Sequence, residues 1–252
     1  MTGNGAVEAA SKGRTRRFLL VALGLCGIAI LLSLGTWQVQ RLAWKQALIA
    51  TISERIAAPP QPVAEIEELA SETGDVDYWQ VEATGRFLHD WESHFFATWQ
   101  GQSGYYVYTP FELADRRVVF VNRGFVPFDR KDPATRAEGQ VAGQVTIAGL
   151  ARNRLAEKPS SLVPDNDTAR NIFYWKDLAA MTSRADLPSG ATVLPFFIDI
   201  GKTTVPGGLP VGGVTMVDLP NSHLQYAITW YGLAAALLGV LAVMLWRPRK
   251  GN

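Results

Sequence analysis

Two long stretches of this chain carry no charge, and they dictate most of what it can become. Residues 18–35 hold no ionisable side chain apart from one cysteine, and Trp37, Gln38 and Val39 extend the run to Arg41. Residues 226–246 form a second uncharged run. Roughly 20 residues at about 1.5 Å each cross a hydrocarbon core about 30 Å thick, and both runs reach that length. The core helix of a soluble protein rarely stays uncharged for so long. The first run has a basic flank (Lys12, Arg14, Arg16, Arg17), as a signal peptide would. It is longer than a usual signal-peptide core, and Trp37-Gln38-Val39-Gln40-Arg41 offers no small-residue cleavage site, so it reads as retained. The chain is expected to cross a membrane twice.

Orientation follows from the basic residues beside the spans. The four before the first span, and Arg247, Arg249 and Lys250 after the second, put both ends on the cytoplasmic side. The chain has 24 basic and 23 acidic residues, so setting those seven aside leaves the loop acidic, as suits a translocated domain. Aromatic rings mark the interfaces: Trp37 and Trp44 at the outer end of the first span, Tyr226, Trp230 and Tyr231 at that of the second, and Trp246 at its inner end. The expected organisation is a cytoplasmic basic N-terminus (1–17), a transmembrane helix (18–39), an extracytoplasmic β-rich domain (40–225), a second transmembrane helix (226–246) and a cytoplasmic basic tail (247–252). Clustering of the N-terminal basic residues against the span, without the spread arginines of a transit peptide, points to a bacterial inner membrane, with a mitochondrial inner membrane as the alternative.

The first helix is expected to continue through residues 41–56 until Pro59-Pro60-Gln61-Pro62 stops it, and residues 65–70 suit a short acidic helix. From Tyr78 the period changes to two. Val81, Ala83, Gly85 and Phe87 alternate with polar residues. Further strands are expected over 94–100, 104–111, 118–126, 144–150, 194–200 and, more weakly, 213–217, with one helix over 175–183. Short strands split by Gly and Pro predict a mostly antiparallel sheet curled into a barrel with a few helices. Residues 153–172 and 205–213 read as loops.

The chemical repertoire is narrow. Cys26 is the single cysteine, which excludes an intramolecular disulfide, a CxxC motif and copper handling through paired thiols. The chain has no nucleophile elbow, phosphate loop, HExxH or paired acidic motif, so an extracytoplasmic enzyme is disfavoured. No basic, aromatic-interleaved patch calls for nucleic acid. Three histidines are present. His89 and His94 flank Trp91 in an expected turn and read as solvated. His223 follows Pro220, Asn221 and Ser222, which can start and cap the second helix. On that helix His223, Tyr226, Ala227 and Trp230 are expected on one face. An imidazole beside two rings at a membrane surface suits an axial haem ligand, or simply an interfacial anchor. Gly232 and Ala236, with Ala235 and Gly239 beside them, and Gly24 and Gly27 in the first span, permit close packing of the two spans or docking on another membrane protein.

Several strings, taken in order, resemble the Surfeit locus protein 1 family. They are Gly35-Thr36-Trp37-Gln38 with Arg41, Trp44 and Lys45; Gly104-Tyr105-Tyr106 through Thr109-Pro110; Val121-Asn122-Arg123-Gly124-Phe125-Val126-Pro127; Gly143 with Val145, Ile147, Gly149 and Leu150; and His223-Leu224-Gln225-Tyr226-Ala227 with Thr229-Trp230. Phe125 stands where many members carry Trp. Each string is weak alone, while the ordered set between a pair of terminal helices is specific.

The resemblance implies an assembly factor for haem–copper cytochrome c oxidase without enzymatic turnover. It implies transient binding of haem a and help with its insertion into subunit I, with His223 as the iron ligand; the helical spacing adds Tyr226 and Trp230 beside it. Arg41 and Arg123 are candidates for the haem propionates. Arg41 also reads as a headgroup anchor, and Arg123 as the partner of a carbonyl or an acid inside the barrel. The glycine of Asn122-Arg123-Gly124 points to a bulge or tight turn. Implied partners are oxidase subunit I, haem A synthase, other oxidase assembly factors and the lipid bilayer. The alternative is a cofactor-free scaffold that stabilises nascent subunit I.

Overall fold

The computed structural model describes residues 4–215 and 217–246, with side chains from residue 15 onward. Lys12 and Arg14 as side chains, and Arg247, Arg249 and Lys250 altogether, lie outside the described residues. The chain forms two compact units, one built on the two long apolar helices and the other spanning Ile52–Val217.

Helix α1 runs Asn4–Ala57 without a break. The expected continuation beyond the apolar run is therefore present, and the helix ends just before Pro59-Pro60. Proline lacks an amide proton and excludes the helical conformation from the residue before it. Two helical segments are long and apolar enough to cross a membrane, Thr15–Ala57 and His223–Trp246.

The β domain opens with β1 (Gln61–Pro62) and α2 (Val63–Thr73), the latter closed by Gly74 in the left-handed conformation. Then come β2 (Gln80–Phe87), β3 (Ser93–Trp99), β4 (Gln102–Leu113), β5 (Arg117–Pro127), β6 (Val145–Asn153), α3 (Leu178–Arg184), β7 (Thr192–Ile200) and, in the helical unit, α4 (His223–Trp246). The sheet order is β1-β2-β6-β7-β5-β4-β3, and a further pairing of β2 with β4 closes five of the strands on themselves. Closure is made by Gly85, Arg86 and Phe87 opposite Leu113, Glu112 and Phe111. The sheet is mixed. β1–β2 and β5–β7 are parallel, and the other pairings are antiparallel. The mostly antiparallel barrel flanked by two apolar helices is thus the architecture observed.

β5 is paired with β7 on one side and β4 on the other, and core residues cover both of its faces. Val119 and Val121 join a core with Val81, Phe111, Phe196, Ile198 and the α2 residues Val63 and Ile66. Phe120 on the opposite face packs with Tyr108, Phe173, Phe197 and the α3 residue Met181. Burying one such large apolar side chain is worth roughly 1.5–3 kcal/mol. The outer edge of β3 is covered by residue 173, where Phe96 N–H donates to the Phe173 carbonyl and Phe173 N–H to that of His94.

Two expectations shift. The helix expected over 175–183 starts at Leu178, because Asp177 accepts the amide of Ala180 and caps it there. The strand expected over 213–217 is not seen among the described residues of that stretch, 213–215 and 217. Gly213 is in the left-handed conformation, and a Cβ there would stand 2.9 Å from Lys202 Cβ. The chain pairs earlier instead, through a bridge between Val211 and Phe125.

The bulge expected at Asn122-Arg123-Gly124 is present. Asn122 pairs with Tyr108 and Phe125 with Tyr106, so Arg123 and Gly124 together face one residue of β4. Gly124 has φ +123°, and a Cβ on it would lie 2.0 Å from the Val211 carbonyl oxygen. Backbone strain of this kind costs about 1–3 kcal/mol before any clash is counted. Gly124→Ala is expected to destabilise the protein by roughly 3 kcal/mol or more, read as a lowered thermal melt in detergent. An unchanged melt would mean that the Val211 segment is not held against the bulge.

Candidate functional site

The helical unit is an antiparallel pair joined by close packing and a few polar contacts. Gly24 lies under Leu241 and Gly27 under Leu237, where added Cβ atoms would meet them at 2.7 and 3.1 Å. Gly35 lies under the Tyr231 ring, 2.8 Å from an added Cβ. The small residues of the first span therefore serve the pairing of the two spans. Gly232 and Gly239 have no atom within 4 Å of such a Cβ and take no part in it. At one end Arg17 Nη2 donates to the carbonyl oxygens of Met244 (3.4 Å) and Leu245 (3.0 Å), placing positive charge at the C-terminus of α4.

At the other end lies His223. The helix starts there, with His223 N–H donating to Asn221 Oδ1 at 3.4 Å, so the expected cap is made by Asn221. His223 Nδ1 stands 2.8 Å from Gln38 Oε1 on α1. Gln38 is buried and His223 partly so. Among the described residues nothing hydrogen-bonds His223 Nε2. Two turns along α4 the Tyr231 hydroxyl meets Thr36 Oγ1 at 3.1 Å.

The expected single face of α4 is divided. Ala227 is buried, Trp230 partly buried, and Tyr226 52% exposed. The reason is the packing line set by His223, Ala227, Tyr231 and Ala234, which turns Tyr226 to the flank. Arg41 is exposed, with its guanidinium 3.8 Å above the Trp44 ring.

Arg123 belongs to a different constellation. The bulge brings it into a buried ion cluster around Glu92. Arg123 Nη1 donates to Glu92 Oε1 at 3.0 Å, and Nη2 donates to the Gly139 carbonyl. Arg136 Nη2 donates to Glu92 Oε2 at 2.5 Å. Arg123 is thus spent on an acid and a carbonyl of its own domain, the second of its two readings, and this corrects its assignment to a haem propionate. Burial alone would raise the Glu92 carboxyl, but the Arg136 bond and the two guanidinium charges outweigh it and hold the group below its ordinary value. Burial pushes the Arg123 guanidinium below its ordinary value.

His89 and His94 are part of this cluster, which corrects their reading as solvated turn residues. His89 Nε2 is 2.9 Å from the Val141 carbonyl oxygen and must donate, while its Nδ1 is 3.2 Å from Arg123 Nη1 and must accept. It is therefore the neutral Nε2–H tautomer. His94 lies buried in β3, where Asn171 Nδ2 donates to its Nδ1 at 3.0 Å. Burial pushes the His94 imidazole down to about 4 and the His89 imidazole down as well. Glu92, Arg136 and Asn171 were not singled out by sequence. They come from separate segments, and no spacing rule connects them.

An antiparallel pair of helices long and apolar enough to cross a membrane, in one chain with a five-stranded barrel, defines the class: a membrane protein that carries a β domain. Among the described residues no group of three or more His, Cys, Asp or Glu side chains is placed to hold a metal ion. The SURF1 family matches residues 25–235. The chain is 40% identical to Surfeit locus protein 1 of Homo sapiens over 93% of this chain and 80% of that protein. It is 41% identical to Surfeit locus protein 1 of Rattus norvegicus over 81% of this chain and 68% of that one. A SURF1-like protein of Monosiga brevicollis is 37% identical over 87% and 84%. The chain belongs to the SURF1 family.

The ion cluster makes stability depend on pH. His94 and Glu92 both have folded-state values below their unfolded ones, so the unfolded chain binds more protons and stability rises with pH. For His94 the window lies between about 4 and the ordinary 6.5. At about 1.4 kcal/mol per unit, its share lost on acidification is on the order of 3 kcal/mol. The thermal midpoint in detergent is expected to fall from pH 7 to pH 4, with the upper part of that slope flattened in His94→Gln. An identical slope in the variant would remove His94 from the account.

Proposed function

We propose that this protein is an assembly factor for haem–copper cytochrome c oxidase that takes haem a as cargo and assists its insertion into subunit I. The observation that carries the reading is the His223 imidazole, tied at Nδ1 to Gln38 with Nε2 unpartnered among the described residues, in a chain of the SURF1 family. A ring nitrogen with a free lone pair is what an axial iron ligand requires, and the companion nitrogen of such a ligand ordinarily donates to a carbonyl or carboxylate. One histidine leaves the other iron face exchangeable, as delivery demands. Arg41, one turn beyond Gln38 on α1, is the candidate for a propionate by charge-assisted bonding, and Tyr226 and Trp230 supply ring surface. The reading assigns the protein no catalytic turnover. Its partners would be subunit I, haem A synthase and other assembly factors.

The test is the visible spectrum of the detergent-purified full chain, co-expressed with haem A synthesis. A haem a spectrum is expected in the wild type, lost or strongly weakened in His223→Ala. A colourless wild type, from cells that demonstrably make haem a, would favour a cofactor-free scaffold for nascent subunit I. A coloured His223→Ala would keep the carrier and discard this ligand.

We further infer that both termini face the cytoplasm and that the β domain is periplasmic in a bacterial inner membrane, from the basic residues flanking the two runs. The animal relatives favour a mitochondrial inner membrane as the alternative compartment. The exposed Leu162 offers a probe site and Cys26 is the single cysteine to remove. In a Cys26→Ser background, Leu162→Cys is expected to react with a membrane-impermeant maleimide in intact spheroplasts. Reaction only after lysis would invert the topology.

A further inference from the structure

A neutral imidazole carries one ring proton, on either nitrogen. Which one carries it decides which lone pair a metal can use. Gln38 Oε1 has no proton to give, so its 2.8 Å contact places the His223 proton on Nδ1 and leaves the lone pair on Nε2. The contact is built into the packing of the two helices. Gln38 is 9% exposed, and a buried amide carbonyl needs a donor. Gly35, one turn before Gln38, admits the Tyr231 ring, and Ala227, one turn after His223, is 2% exposed. The helices approach closely at both levels. The Thr36–Tyr231 contact at 3.1 Å fixes their register beside it.

We propose that Gln38 is a positioning residue for His223: across the helix pair its carbonyl selects the Nδ1–H tautomer, sets the ring orientation and presents Nε2 as the ligating atom. The identity of the ligated group, a haem iron, rests on the carrier reading above; the hold on the tautomer does not. Loss of the companion partner of a ligating histidine typically weakens metal affinity about 10–100-fold. Gln38 touches no iron in this account and acts only through the imidazole.

Two measurements on the full chain in detergent test it. Nitrogen-15 NMR of histidine-labelled protein, without haem, reads the tautomer, with His223→Ala assigning the signal. The wild type is expected to carry the proton on Nδ1. Gln38→Leu is expected to shift it toward Nε2, and Gln38→Glu, which keeps an acceptor, to retain Nδ1–H. Titration with haem a and with iron protoporphyrin IX reads affinity. Gln38→Leu is expected to bind about 10–100-fold more weakly and Gln38→Glu near wild type. Should Gln38→Leu fail to fold, the wild-type tautomer and the Gln38→Glu variant decide. An unchanged tautomer or affinity in a folded Gln38→Leu protein, with haem lost in His223→Ala, would overturn the proposal. So would loss of Nδ1–H in Gln38→Glu. If wild type and His223→Ala are equally unable to bind haem, the carrier reading fails by itself. The NMR then decides the role of Gln38: a proton on Nδ1 upholds it, and one on Nε2 overturns it.

Discussion

Closure of the sheet is the constraint on which the β domain depends. The one cysteine lies in α1, so no disulfide staples Ile52–Val217. Short strands without a covalent tie must satisfy their backbone groups with one another or with water. The pairing of β2 with β4 does this by returning the sheet on itself, and residue 173 covers the edge that β3 would expose. β5 is paired along both edges, with β4 and β7, and is buried on both faces. Its polar residues must then find partners within the domain.

The ion cluster follows from that position. The bulge at Arg123 and Gly124 breaks the alternation of β5 and brings a guanidinium into reach of Glu92. One carboxylate between two guanidiniums, with two neutral imidazoles beside them, is a costly group to bury unless every member is bonded. The hydrogen bonds to Gly139, Val141 and Asn171 complete that set. The cluster thereby joins the bulge in β5 to the start of β3, to the 3-10 turn Pro133–Gly139 and to the loop that carries Asn171. Its neutral histidines make the domain sensitive to acid.

The helical unit solves a different problem. Lipid provides no hydrophobic drive for two apolar helices to meet, so close packing at small residues and a few polar contacts must do so. Gly24, Gly27 and Gly35 supply the packing. Arg17, the Thr36–Tyr231 pair and the Gln38–His223 pair supply the polar contacts. The last of these is the contact on which the proposed role of His223 turns, because the bond that ties the helices together also engages one of the two imidazole nitrogens.

By itself the sequence determined the two apolar helices, the strand-rich domain between them and the histidine at the start of α4. Those features are local: an uncharged run of sufficient length, alternation with a period of two, a cap before a helix. The family strings added the order. Tertiary structure alone decided the rest. Arg123 could be read as a ligand contact or as a buried partner until Glu92 and Gly139 were brought beside it. His94 read as solvated because nothing local shows that Arg136, 42 residues later in the chain, stands close by. Tyr226 left the expected face because the packing line of α4 is set by α1 and not by its own periodicity. Gln38 was visible as part of a string, but its partner lies 185 residues away. Contacts of that separation are chosen by how elements pack, and periodicity within one element carries no information about them.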